Sequence, residues 1–249
     1  MFSFLIASTG TNLILSNTIM GFAAGVALLL LIPFARYGAH GPQATRRAWA
    51  WTFAGLGSIL TVFGIHTLVS WPLLGGANLI FGDPSVIFGM LLLVASVIIY
   101  QTPVDGEEDP SSESPIKISG VENMPENLTV ALRPVGYVAA FTGPMLILLA
   151  VGGAAFGKIV FRPPPNEFPT GIIAGTGIEM VYFIITYGIL GIGAMLLPIA
   201  LHNRSWMKLT AYCFAISAVL LLVVTFASFL GHVSLSSGVG PGGIPWPPQ

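Results

Sequence analysis

Residues Trp49–Val69 read WAWTFAGLGSILTVFGIHTLV, a run without a single Asp, Glu, Lys or Arg. At about 1.5 Å per residue, a helix of this length spans about 30 Å, the thickness of bilayer hydrocarbon. Comparable runs follow at Leu13–Phe34, Pro84–Tyr100, Pro134–Phe156, Gly171–Leu197 and Leu209–Leu230. Their apolarity is continuous, whereas barrel strands alternate over segments of about ten residues. The expected fold is therefore all-α: a polytopic membrane helical bundle with six transmembrane helices, forming a single integral-membrane domain over 1–249.

Composition supports that class. The chain is 54% hydrophobic and 8% charged, against about 25% charged in soluble domains, so it has too few charges to coat a water-facing surface. Its nine Lys and Arg residues are spread over the loops, which leaves no basic patch for nucleic acid. Cys213, the sole cysteine, can form no intrachain disulfide and reads as packing. The apolar N-terminus lacks a basic leader region and is expected to run uncleaved into the first span.

Orientation follows from the basic residues. Arg36, Arg46, Arg47, Lys117, Arg133, Arg204 and Lys208 occupy alternate loops, and only Lys158 and Arg162 occupy the others. Both termini are expected outside, in a multi-pass protein of the cell membrane with lipids, and possible subunits of a membrane complex, as its partners. The segment 101–133, with Asp105, Glu107, Glu108, Asp109 and Glu113, reads as an acidic cytoplasmic connector, and 234–249 as a Gly/Pro-rich tail.

Polar side chains within or beside the runs mark a candidate site. Glu179 is expected well inside the fifth run, where a carboxylate is costly unless paired, protonated or beside a cavity. His66 precedes the outward end of the second run, and His232 directly follows the sixth. The link between the second and third runs adds Trp71 and Asn78, with Asp83 expected as an N-cap and Pro84 as the first helical residue. Topology places all of these on one side. Glu179 and His66 are the candidates for proton transfer, and His66, His232, Trp71 and Asn78 for cofactor binding; His66, His232 and Glu179 are the candidate metal ligands.

Three chemistries suit that set. Paired imidazoles can ligate haem b, two imidazoles with a carboxylate can hold a transition metal, and the same groups can exchange protons with a quinone head. No HxxxH, HExxH or CxxC spacing occurs, so each depends on helix packing. The expected function is an integral-membrane subunit of an electron-transfer or quinone-linked complex. The alternatives are a small-solute transporter and a structural or assembly subunit without chemistry.

Trp71-Pro72-Leu73, Asn78, Phe81-Gly82-Asp83-Pro84 and Phe88-Gly89 resemble the signature of an uncharacterised prokaryotic membrane family, domain of unknown function 981. Phe168-Pro169-Thr170-Gly171-Ile172-Ile173-Ala174-Gly175, ahead of Glu179, resembles the same family. The resemblance covers nearly all the spans but neither the acidic connector nor the tail. It implies a small multi-pass membrane protein of archaea or bacteria, and it brings no reaction and no catalytic residues.

Overall fold

The structure, a computed structural model, describes residues 11–70, 77–103, 124–155, 168–173 and 176–237. Among them are six long helices: α1 (Thr11–Arg36), α2 (Gln43–Ser70), α3 (Ala77–Gln101), α4 (Glu126–Ala155), α5 (Ile178–Ala200) and α6 (Arg204–Ser237). Each is long and apolar enough to cross a bilayer, and the chain is an all-α, multi-pass membrane protein. Short 3-10 turns lie at Gly38–His40 and Thr170–Ile173.

Successive helices pack against one another, and α6 closes the ring against α1. Every adjacent pair is antiparallel. The starts of α1, α3 and α5 therefore share one end of the bundle with His66 and His232, the histidine end. The opposite, arginine end carries Arg36, Arg46, Arg47, Arg133 and Arg204.

The inward face of α2 shows how sequence sets this packing. Its buried residues are Arg46, Ala50, Phe53, Gly57, Leu60, Gly64 and Thr67, spaced alternately four and three apart, so they form one stripe along a helix of about 3.6 residues per turn. Trp51, on another face, is 69% exposed and suited to lipid. Two hairpins close backbone to backbone. A Cβ added at Gly57 would stand 2.8 Å from the Gly89 carbonyl on α3, and one at Gly191 on α5 would stand 2.7 Å from the Gly143 carbonyl on α4. Only glycine leaves room for such crossings. The Gly21 and Gly25 pair of α1 likewise faces α6, at Thr225 and Leu222.

Several boundaries differ from the sequence expectation. The third helix starts at Ala77, so Asp83 is not its N-cap and Pro84 is an interior residue. Proline tolerates helical φ and forfeits the bond to the carbonyl four residues back, here that of Ile80. That carbonyl instead accepts a 2.9 Å hydrogen bond from the Tyr187 hydroxyl of α5, which lets the helix run through. The fourth helix starts at Glu126, so Arg133 and Pro134 are helical and 126–133 belong to a span. The fifth starts only at Ile178, after Gly177 takes a left-handed φ of 81°, a conformation that L side chains adopt at a cost. The sixth continues to Ser237 and contains His232. The remainder of the expected connector, 104–123, and of the tail, 238–249, lies outside the described residues.

At the arginine end, side chains bind the backbone that terminates α3. Gln43 Nε2 donates to the Tyr100 carbonyl at 3.0 Å, Arg46 Nη1 donates to the Pro103 carbonyl at 3.1 Å, and Asn127 Nδ2 donates to that same Pro103 oxygen. Arg46, expected in a loop, is fully buried in α2. The Pro103 carbonyl that it reaches lies just past the end of α3, where the helix dipole favours a cation.

Candidate functional site

A cavity of about 170 Å³ lies within the ring, lined by α1, α3, α4, α5 and α6. Its wall is almost wholly apolar toward the arginine end, where Leu31, Ala95, Val135, Leu197 and Phe214 meet. Toward the histidine end it gains Asn17, Thr18, Ser85, Thr225 and Ser228. Helical phase explains the contribution of α6. Leu221, Thr225 and Ser228 are all buried, and their spacing of four and three brings them to one face with His232.

His232 stands behind this polar wall. Its Nδ1 is 3.3 Å from Thr18 Oγ1 and its Nε2 is 3.3 Å from Ser228 Oγ. Both hydroxyl-bearing residues are buried and both line the cavity. The imidazole therefore joins α1 to α6 and holds two of the groups that a bound molecule would meet.

Tyr187 lies across the cavity on α5. Its hydroxyl bond to Ile80 and the contact of the Phe81 and Phe183 rings, 5.7 Å between centroids, fasten α5 to the start of α3. Glu179, Phe183 and Tyr187 are buried at successive turns of α5. Glu179 sits in the first turn, not deep in the span, at the helix end whose unpaired N–H groups favour negative charge. Asn78 is fully buried in the first turn of α3, at the same end of the bundle.

The expected site residues thus separate into distinct positions. Glu179 and Asn78 are buried in the first turns of α5 and α3, both at the histidine end, and His232 turns inward between α1 and α6. His66 is exposed on the outer face of α2, next to the inward-facing Thr67. Trp71 lies outside the described residues. Among the described residues no three His, Cys, Asp or Glu side chains gather into a group that could hold a metal ion. The His66 ring is exposed, and each ring nitrogen of His232 lies 3.3 Å from a hydroxyl oxygen.

The polar wall itself was not foreseen. Thr225 and Ser228 resemble ordinary small polar residues of a membrane helix, and Asn17 and Thr18 sit near one end of the first run. Their recurrence at helical spacing with His232 was the available signal. Tyr187 had one too, since an interior Pro84 requires some donor for the Ile80 carbonyl.

The ring of apolar helices and the cavity between them define an integral-membrane helical bundle. A family model described as "Protein of unknown function (DUF981)" matches residues 12–235, and the chain belongs to that family. Neither a curated protein nor a solved structure gives a match.

Proposed function

We propose that the chain is an integral-membrane subunit of a quinone-linked electron-transfer complex, and that its part is to hold one quinone in the cavity between α1, α3, α4, α5 and α6. The observation that carries this reading is the polarity of the cavity: an apolar chamber of about 170 Å³ with hydroxyl and amide groups gathered at one end. Apolar protein cavities of about 150 Å³ admit one six-membered ring. A quinone presents such a ring, with oxygen acceptors for the polar end and an isoprenoid tail for the apolar surroundings. Packing around the ring of helices is sparsest between α3 and α4, and both line the cavity, so this seam gives the tail a route into lipid.

Extraction of the protein purified in mild detergent, followed by mass spectrometry, tests the reading. About one quinone per chain is expected, and an azidoquinone should label peptides of α3, α5 or α6 in competition with unlabelled quinone. Ala139→Phe, which fills the chamber from α4, should abolish both signals while leaving the protein folded. Quinone-free extracts together with labelling that unlabelled quinone does not compete would overturn the proposal.

A further inference from the structure

We infer that two copies of this chain pair in the membrane through the outer faces of α2 and α3, with His66 of each copy hydrogen-bonded to Asp83 of the other. The pairing is independent of what the cavity holds, because α2 lines no part of it.

Both side chains lie on the surface that the bundle turns toward lipid. Ile59, Val62 and His66 follow one another on α2 at spacings of three and four and are all exposed, so they form one outward stripe. Asp83 is partly exposed on α3, four residues from Leu79 and seven from Met90, both exposed on the same face. It is the only charged residue of that helix. Neither the imidazole nor the carboxylate makes a hydrogen bond or an ion pair with the described residues. Within transmembrane helices, such groups lose solvation unless a partner answers them.

Their depths match. A Cβ added at Gly64 would stand 2.9 Å from the Val86 nitrogen and 3.1 Å from the Gly82 oxygen, which sets Gly64 of α2 level with Pro84 of α3. The helices are antiparallel, and from that level His66 lies two residues, and Asp83 one residue, nearer the histidine end. At about 1.5 Å per residue, the two differ in depth by about 2 Å.

A two-fold axis along the membrane normal preserves depth. When two α2–α3 hairpins meet face to face about such an axis, α2 of one copy lies against α3 of the other. His66 then faces Asp83 of the second copy, and the same contact recurs across the axis, as an isologous interface requires. Neutral or protonated, the imidazole has an N–H to donate, and an ionised carboxylate only accepts. One surface thus satisfies both of its own ionisable groups. Two turns toward the arginine end, the same register sets Ile59 opposite Met90 of the second copy.

The test co-expresses two differently tagged versions of the full-length protein in a Cys213→Ala background, one with Ile59→Cys and the other with Met90→Cys. Native membranes are then oxidised with copper phenanthroline. A disulfide joining the two tags is expected, whereas Leu148→Cys, exposed on α4, should cross-link with neither. Adding His66→Ala or Asp83→Ala to both versions removes both charge-assisted hydrogen bonds of the dimer and should lower the cross-linked fraction about tenfold. His66→Asp combined with Asp83→His in the same chain should restore it, because each new aspartate again faces a histidine of the other copy. Failure of position 59 to join position 90, or a yield that neither alanine substitution lowers, would overturn the pairing.

Discussion

Tyr187 and Pro84 show how a single residue can decide the course of a membrane helix. Proline removes the donor that Ile80 would otherwise use, and in hydrocarbon no water replaces it. The Tyr187 hydroxyl does so at 2.9 Å. Tyr187→Phe should therefore destabilise the protein by about 1–3 kcal/mol, the cost of leaving a buried acceptor unanswered. In a Pro84→Ala background, where the helix can supply its own N–H, the same substitution should cost much less. A double-mutant cycle of unfolding in mixed micelles measures the difference, and equal costs in the two backgrounds would show that the tyrosine acts by packing alone. Glu179 makes a related point at its own helix start. Its residue type was conspicuous in the sequence, but its depth was not, because the break at Gly177 depends on a backbone conformation that apolar periodicity does not encode.

Helices α2 and α3, and likewise α4 and α5, form hairpins whose closest approach is between glycines. Gly57 and Gly89 touch across the first, and Gly143 and Gly191 across the second. Backbone stands opposite backbone at both crossings, so an added methyl group cannot be accommodated by rotating a side chain. Gly57→Ala and Gly191→Ala should each cost about 1–3 kcal/mol through overpacking. Gly55→Ala is the control: nothing lies within 4 Å of its added Cβ, and thermal unfolding should show it neutral or slightly stabilised. A loss at Gly55 equal to that at Gly57 would mean that helix backbone freedom, not the crossing, governs these positions. The existence of the helices was legible in the chain because long apolar runs have few alternatives in a bilayer. Their ends were less so. Pro84 and Pro134 look like boundaries in sequence, yet both are interior because proline's φ suits a helix and its missing bond can be replaced or tolerated.

Across the whole molecule, the arginine and histidine ends provide a test of orientation. If the basic side faces the cytoplasm, Ser205→Cys at the arginine end should resist an impermeant maleimide in sealed cells, and Thr176→Cys at the histidine end should react, each in a Cys213→Ala background. Both positions are exposed. Labelling at 205 with protection at 176 would reverse the assignment. By itself the sequence determined that this is an all-α, multi-pass membrane protein with six long helices, since segments of this length and apolarity have no other stable place. It also carried the family resemblance in the residues around Asn78, Phe81-Gly82-Asp83-Pro84 and Phe168-Pro169. Which polar side chains meet was decided only by tertiary packing. A rotation of about 100° separates neighbouring residues on a helix, which is why Thr67 faces the core while His66 faces outward. The same rotation, combined with the closure of α6 on α1, brings Thr18, Ser228 and His232 together from opposite ends of the chain.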